Sequence, residues 1–300
     1  MNATVALDGV SKSFGIIEAV KSVTLMLGEG ETVAMVGHNG AGKTTLIKLM
    51  LGLIRPTEGT VRVLGENPLT GDPAVRARLG YLPENLAFNP SLTGRETLGF
   101  YAALKRTPRM QIDPLLERVG ISAAADRALR TYSKGMRQRL GLAQALLGDP
   151  KVLLLDEPTT GLDPALRYDF YAFLDELRAS GATILLCSHA LSELEGRADR
   201  VVIMGRGAMI ANGTLDELRR IAQLPTRIRV KLGDVSLRKP SGTEGWRAID
   251  DRTFETYALP EHKIPLLRSA VSAEIADIDV TPPPLDELYA HFQGHEEHCR

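Results

Sequence analysis

The sequence predicts an α/β fold built on a core sheet, with an inserted helical subdomain and a small C-terminal α+β domain. In the second half of the chain, apolar strand-like runs alternate with helical stretches, at Lys151–Leu155, Ala165–Ala179, Thr183–Cys187 and Leu191–Ala198. Strands and helices that alternate in this way are typical of a parallel sheet covered on both faces. This alternation is the first reason for the predicted fold class.

The domain limits follow from changes in period and composition. The helical period dominates from about 88 to 147, where apolar positions recur three and four residues apart. The composition changes near Leu224-Pro225, after which short alternating stretches surround a helix predicted at Ile264–Ala273. We therefore predict a main domain at 1–222, with its helical subdomain at about 88–147, and an accessory domain at 223–300.

The composition argues against several classes of protein. The 300 residues, 44% of them hydrophobic, suffice for one large core and an appendage. With 36 basic and 37 acidic residues, the net charge of -1 gives no bulk attraction for nucleic acid or anionic lipid. The apolar runs fall far below the ~18 residues that cross a bilayer, and Cys187 and Cys299 do not suggest a disulfide framework. We expect a cytoplasmic chain that reaches the membrane only through a partner.

A glycine-rich loop follows a buried strand predicted at Glu31–Val36, and a helix with one apolar face follows the loop at Thr44–Leu53. The loop and the first helical residues are Gly37, His38, Asn39, Gly40, Ala41, Gly42, Lys43, Thr44 and Thr45. Glycines in this setting let successive backbone amides face phosphate oxygens, and the helix N-terminus adds its dipole. Lys43 would reach the β- and γ-phosphates and Thr44 would ligate Mg²⁺. The loop therefore predicts an ATP and Mg²⁺ site, with a plain strand-to-helix turn as the alternative.

Two adjacent carboxylates end the apolar run Val152–Leu155. A buried strand would hold Asp156 at its carboxyl end, where it can bind Mg²⁺ through water. Glu157 beside it is placed to act as a general base on an attacking water. The alternative, a solvated strand end, is weakened by the phosphate loop upstream.

Two further local signals lie after residue 199. Strand-like runs at Arg200–Met204 and Ala208–Asn212 flank Gly205-Arg206-Gly207, which predicts a β-hairpin. The run Thr214-Leu215-Asp216-Glu217 is a capping box that predicts the start of a helix.

In this order the motifs resemble those of ATP-binding cassette (ABC) ATPases, and the resemblance covers about Thr4 to Ala222. The family signature, usually Leu-Ser-Gly-Gly-Gln, stands here as Tyr132-Ser133-Lys134-Gly135-Met136. The resemblance implies a P-loop ABC-type nucleotide-binding domain that hydrolyses ATP. It also implies a homodimer of two copies that clamps two ATP molecules, in which Ser133, Lys134, Gly135 and Met136 serve the ATP of the second copy.

The resemblance assigns roles to four further residues. Asp163 would lie in the loop that joins the two copies, and His189 would be a catalytic switch histidine, although a lone histidine after a strand is more often structural. Phe14 would stack on adenine, with a core position as the alternative. Glu84 stands where the family usually has glutamine, and we expect it to keep a coupling role and to contact Mg²⁺.

The resemblance also implies partners. A cassette of this kind would work at the cytoplasmic face of the inner membrane with a transmembrane permease subunit and, through it, a periplasmic protein, without nucleic acid. The runs GYLPEN, SLTGRETL and YSKGMRQRLGLAQALLG are similar to those of ATPase subunits that support copper-site maturation of nitrous oxide reductase. The alternatives are another ABC-2-type exporter, a soluble ABC protein acting on ribosomes or DNA, and a small-molecule kinase.

Histidines and a cysteine near the end of the chain invite a second metal hypothesis. The residues are His291, His295, His298 and Cys299. Imidazole and thiolate suit copper. However, His291 falls on a predicted helix and the others lie at a chain terminus, where no compact fold fixes their geometry. We therefore favour a tail without a metal.

Overall fold

This computed structural model describes residues 3–188, 191–233, 245–271 and 275–298, with the side chains of 192 and 295–298 left out. The chain divides into two compact units, Met1–Asn212 and Gly213–Arg300. Among the residues described, no helix has both the length and the apolar character needed to cross a membrane.

The first unit contains two sheets and six helices among its described residues. Its strands are β1 (Ala3–Phe14), β2 (Ile17–Gly28), β3 (Thr32–Val36), β4 (Glu58–Val63), β5 (Leu79–Leu82), β6 (Val152–Asp156), β7 (Thr183–Cys187), β8 (Arg200–Gly205) and β9 (Ala208–Gly213). Its helices are α1 (Lys43–Met50), α2 (Pro73–Ala77), α3 (Gly94–Lys105), α4 (Ile112–Arg118), α5 (Lys134–Leu146) and α6 (Pro164–Ala179).

The larger sheet has the order β5-β6-β7-β3-β8-β9, and its pairs from β5 to β8 are parallel, as the sequence predicts. Every residue of β3, β6 and β7 is buried, because neighbouring layers cover both faces. The register pairs Cys187 with Met35 on one side and with Asp156 on the other. The carboxyl ends of these three strands therefore meet at one edge of the sheet.

A second, antiparallel sheet has the order β2-β1-β4. Alternate residues of β1 and β2, such as Val5, Leu7, Val23 and Leu25, are buried in a core that also contains the apolar face of α1. The alternation of buried and exposed residues is typical of a strand with one covered face.

The helical subdomain consists of α3, α4 and α5. A capping box opens α3, because Thr93 accepts a hydrogen bond from the Glu96 amide and Glu96 accepts one from the Thr93 amide. Near the other end of α3, the Lys105 ammonium donates to the carbonyl oxygens of Leu79 and Leu147, both at 2.9 Å. Lys105 thereby ties the subdomain to the first residue of β5 and to the residue after α5.

The second unit contains α7 (Leu215–Ala222), β10 (Thr226–Leu232), β11 (Arg247–Ala248), β12 (Thr253–Ala258), α8 (Pro260–Ala270), β13 (Ile275–Thr281) and α9 (Leu285–His298). Its sheet has the order β11-β12-β10-β13, with antiparallel pairs throughout. Ile228 and Val230 lie in a small core together with Trp246 and Phe254.

Two boundaries differ from the expectations. The units separate after Asn212, ten residues before the limit placed at 222. The physical reason is that α7 belongs to the second unit, where Arg219 Nε donates to the Pro283 carbonyl oxygen just before α9 (3.1 Å). Helix α8 begins at Pro260 and not at Ile264, because proline is favoured at the first helical position.

Lys105 provides a test of the join between the subdomain and the core. Burial lowers the pKa of its ammonium group to about 8, from 10.5 in the unfolded chain. Between pH 8 and 10.5 the unfolded state therefore binds more protons, so this group raises the free energy of unfolding as the pH rises. We expect the stability of wild type relative to Lys105→Met to increase by roughly 3 kcal/mol across this window, measured by urea unfolding.

Lys48 is the matched control, because it also lies in the last turn of a helix but is exposed. The difference between wild type and Lys48→Met, measured over the same range, is the reference for an exposed helical lysine. A Lys105 difference that changes no more than the Lys48 one would contradict the assignment.

Candidate active site

The glycine-rich loop lies at the carboxyl end of β3, and its glycines are required by close backbone contacts. A Cβ atom on Gly37 would lie 2.7 Å from the Met204 carbonyl oxygen. Gly42 has a φ of +102°, and a Cβ atom there would lie 2.6 Å from the Ala19 carbonyl oxygen. Neither position accepts a side chain without movement of the backbone, so the loop is held tightly between β2 and β8.

The loop forms one wall of an open cleft with a volume of about 410 Å³. The cleft is lined by Ile17, Glu18, Ala19, His38, Asn39, Gly40, Ala41, Gly42, Lys43, Thr44, Thr45, Glu84, Asp156, Glu157 and Arg206. The structure thus brings together the predicted loop, Asp156 at the end of β6, Glu157 after it, and Glu84. A separate cavity between α4, α5 and α6, lined in part by Phe170 and Phe173, includes none of the predicted site residues.

Lys43 and Thr44 begin α1, and their side chains form hydrogen bonds to different segments of the site. Lys43 is buried, and its ammonium group donates to the carbonyl oxygens of Gly37 and His38. The Thr44 hydroxyl donates to Asp156 Oδ2 at 3.0 Å. This hydrogen bond joins the two segments that the sequence assigns to Mg²⁺.

Asp156 ends β6 and is buried. Burial raises the pKa of its carboxyl group, and the negative charge of Glu84 adds to this effect, while the Thr44 hydroxyl and the Lys43 ammonium oppose it. Asp156 and Glu84 line the same cleft. A divalent cation would relieve the repulsion between them.

Glu157 is buried and has a left-handed backbone, with a φ of +51°. Its amide donates to the Cys187 carbonyl oxygen at 2.9 Å, and its own carbonyl accepts from the Thr160 amide at 3.2 Å. A non-glycine residue in this conformation costs about 1–3 kcal/mol, and such residues concentrate at functional sites. The hydrogen bond to β7 thus holds a carboxylate in the cleft in a backbone conformation that it would not adopt alone.

The residues of the signature run do not line this cleft. Ser133 is the N-cap of α5, accepting from the Met136 amide at 3.2 Å, and both Ser133 and Lys134 are exposed. Asp163 caps α6 in the same way, accepting from the Leu166 amide at 3.0 Å.

The signature run contacts the loop before α6 within the same chain. A Cβ atom on Gly161, whose φ is +83°, would lie 2.7 Å from Cδ and Cε of Lys134. A Cβ atom on Gly135 would lie 3.9 Å from side-chain carbons of Leu162 and Leu166. The stem of Lys134 therefore covers Gly161, which the sequence did not predict.

Phe14, at the end of β1, is half exposed, and the Lys12 ammonium lies 5.0 Å from the centre of its ring. A core position for Phe14 is therefore wrong. The ring does not line the cleft itself; Ile17 to Ala19, which follow it, do. His189 lies outside the described residues, as does Cys299.

Sequence reasoning missed four residues of the cleft. Three of them, Ile17, Glu18 and Ala19, begin β2, and the fourth is Arg206. It lies in the turn between β8 and β9, which the sequence predicts only as a hairpin. A basic residue between two glycines is common in hairpin turns. The local sequence therefore gives no indication that Arg206 lies in this site.

The oxygen donors in the cleft suit Mg²⁺ bound together with a nucleotide better than they suit a metal ion whose ligands all come from the protein. Within the described ranges, no group of three or more His, Cys, Asp or Glu side chains is arranged to hold a metal ion. Mg²⁺ usually binds one or two carboxylates together with water and substrate phosphates. The Thr44 hydroxyl and the carboxylates of Asp156 and Glu84 are a donor set of this kind.

The chain is similar to known ATP-binding subunits of ABC transporters. Residues 20–160 match the family model described as ABC transporter. An uncharacterized ABC transporter ATP-binding protein of Nostoc sp. strain PCC 7120 is 46% identical over 67% of this chain, and the match spans only 62% of that relative. The uncharacterized ABC transporter ATP-binding protein YdbJ of Bacillus subtilis is 35% identical over 97% of this chain and 96% of its own length.

A daunorubicin resistance ATP-binding protein of Streptomyces coeruleorubidus is 33% identical over 100% of this chain and 98% of its own length. Among solved structures, an ATP-binding subunit of an ABC transporter superposes with a TM-score of 0.69 at 32% identity, covering 73% of this chain and 92% of that one. A dimeric ATP-binding cassette bound to ADP and Pi superposes with a TM-score of 0.66 at 25% identity, covering 70% and 98%.

Proposed function

Because this chain belongs to the family of ABC transporter ATP-binding subunits, we propose that it is the motor subunit of an ABC exporter and that the cleft beside α1 is its ATP site. Cassettes of this family bind and hydrolyse ATP, and a small-molecule kinase is thereby set aside. The observation that carries the proposal is the arrangement of Lys43, Thr44, Asp156 and Glu157 around one cleft, while Ser133 lies on another surface of the chain.

Nucleotide binding would use the loop backbone first. The amides from Gly37 to Thr45 and the N-terminus of α1 would bind the β- and γ-phosphates, since both carry partial positive charge. The Lys43 ammonium would exchange its bonds to the Gly37 and His38 carbonyls for phosphate oxygens. Phe14, exposed at the end of β1, would stack on adenine.

Thr44, Asp156 and Glu84 would hold Mg²⁺ between them, in part through water. The bound ion would supply charge compensation to the phosphates. The hydrogen bond from Thr44 to Asp156 supports this role, because it places a hydroxyl and a carboxylate close enough together to bind the same ion. Glu84 would contribute a formal negative charge where glutamine, the usual residue, contributes none.

Glu157 would act as the general base. Its carboxylate would accept a proton from the water that attacks the γ-phosphate, and the proton would then pass to the released phosphate. The hydrogen bonds that hold its left-handed backbone support the role, because a base must be fixed relative to the bound nucleotide. His189 would assist at the γ-phosphate.

A second copy of the chain would complete each site. Ser133, Lys134, Gly135 and Met136 would face the γ-phosphate bound by the partner copy, and Asp163 would lie where the two copies meet. The exposure of Ser133 and Lys134 and their absence from the cleft of their own chain support this arrangement.

We further propose that the chain resembles NosF, the ATPase subunit of the NosDFY transporter, and that it energises copper-site maturation of nitrous oxide reductase. The runs GYLPEN and YSKGMRQRLGLAQALLG, and LPTRIRV and PPPLDELY of the second unit, support this. A NosY-like permease would bind it at the cytoplasmic face of the inner membrane, near Glu84, and a NosD-like periplasmic protein would act through the permease. The daunorubicin resistance relative favours a second candidate, an exporter of small organic molecules.

Glu157→Gln tests the catalytic site and the dimer together. It should abolish hydrolysis and leave ATP binding intact, because the neutral amide accepts no proton, and an ATP-bound dimer should accumulate. Size-exclusion chromatography with ATP would detect the dimer. Adding Ser133→Ala to this variant should reduce dimer capture while ATP binding to the monomer is retained.

Two results would count against the assignment. Hydrolysis by Glu157→Gln at the wild-type rate would exclude it as the base. Loss of monomer ATP binding in Ser133→Ala, to the extent seen in Lys43→Ala, would place Ser133 in the site of its own chain.

Glu84→Gln tests the unusual carboxylate. Removing its charge should strengthen ATP binding without Mg²⁺ by about 3-fold to 10-fold, because like charges near the phosphates repel, and should raise the Mg²⁺ concentration needed for half-maximal hydrolysis. Titrations with a fluorescent ATP analogue and with Mg²⁺ would measure both. Glu58→Gln, an exposed carboxylate on β4 outside the cleft, is the control and should change neither.

The cargo is tested in the host of this chain. With Glu157→Gln in place of wild type, nitrous oxide reductase should lack copper and activity, as shown by metal analysis of the purified reductase and by nitrous oxide consumption. A fully loaded reductase together with new sensitivity to amphiphilic drugs would instead support the exporter of organic molecules.

A further inference from the structure

We propose that Arg206, in the turn between β8 and β9, is a nucleotide-binding residue that contacts the phosphate groups of the ATP or ADP held by its own chain. The inference rests on the proposed ATP site. It adds a cation from the turn after β8, the strand that pairs with β3, and the sequence assigns no nucleotide-binding role to this turn. Arg206 is exposed and lines the same cleft as the glycine-rich loop.

The turn is joined to the loop through the backbone. The Gly207 amide donates to the Ala41 carbonyl oxygen at 3.1 Å, and the Gly207 carbonyl accepts from the Lys21 amide at 2.8 Å. A Cβ atom on Gly42 would lie only 3.4 Å from Cα of Gly207. The position of Arg206 relative to the loop is therefore set by hydrogen bonds on both sides of its neighbour.

The backbone of Arg206 itself is left-handed, with a φ of +45°. Glycine or asparagine would adopt this conformation more readily than arginine. An arginine thus stands at a position where a smaller residue would be less strained, and it lines the cleft.

The charge of the lining makes a second cation important for an anionic ligand. Its lining residues include four carboxylates, on Glu18, Glu84, Asp156 and Glu157, but only two permanent cations, on Lys43 and Arg206. A nucleotide brings several more negative charges. Without Arg206, Lys43 would be the one permanent cation among these lining residues, so a second one improves the electrostatic fit to phosphate. A guanidinium group is well suited to this, because its planar donors match phosphate oxygens.

Arg206→Gly tests the contact without straining the turn, since glycine favours the left-handed conformation. We expect the dissociation constants for ADP and ATP to rise by roughly 10-fold, as for loss of one charged hydrogen bond. Arg206→Lys should lose less, and GTP should be affected as much as ATP, because the contact is to phosphate. Titration of fluorescent nucleotide analogues with the full chain would measure these constants.

Arg106→Gly is the matched control. Arg106 is also an exposed arginine with a left-handed backbone, with a φ of +55°, but it ends α3 and lies outside the cleft. It should bind nucleotide as wild type does. Circular dichroism and thermal melting of both variants would show that the fold is retained.

The outcomes separate this inference from the ATP site itself. Wild-type affinity in Arg206→Gly would overturn the inference while leaving the ATP site in place. So would a loss seen with ATP and ADP but not with GTP, because it would place the contact on the base. An equal loss in Arg106→Gly would overturn it as a general effect of the substitution. A wild-type chain that binds no nucleotide would refute the proposed function as well.

Discussion

The parallel register of β3, β7 and β6 is the constraint on which the rest of the site depends. It brings Met35, Cys187 and Asp156 side by side, so the loop after β3 and the carboxylates after β6 emerge at one edge. All three strands are buried on both faces, and a shift of register would disturb the close packing of both faces and displace the strand ends that carry the site. The packing of the hydrophobic core therefore also fixes the geometry of the cleft. A substitution that disturbs this packing would displace the residues of the cleft.

A site built at a sheet edge still needs each side chain to be fixed, and this is done by backbone hydrogen bonds between neighbouring segments. Glu157 is held by the Cys187 carbonyl of the next strand, and Gly207 is held by the Ala41 carbonyl within the glycine-rich loop. The Thr44 hydroxyl bridges the loop to Asp156. Each of these bonds joins segments far apart in sequence, so the cleft exists only in the folded unit.

Much of this arrangement was predictable from the sequence, because it rests on local patterns. The strand before Gly37, the apolar run before Asp156 and the start of α5 after Ser133 each carry a period or a capping residue that one segment reveals. The left-handed backbone of Glu157, the contact of Lys134 with Gly161 and the place of Arg206 in the cleft were not predictable. They depend on which distant segments pack together, and the periodicity of a single segment does not indicate its packing partners. The limit between the units was missed for the same reason, since α7 carries a clear capping box but its packing partner lies near Pro283.

The contact between Lys134 and Gly161 also constrains how a dimer could close. In the proposed dimer, the signature run and the loop that ends at Asp163 face the second copy. Here they already touch within one chain, because the third signature position holds lysine where the family usually has glycine, and the aliphatic stem covers Gly161. Glycine there would leave this surface of the loop open. An approaching copy would therefore meet the two segments as one packed surface. The departure of this signature from the usual pattern thus changes the packing inside the subunit as well as the charge at this position.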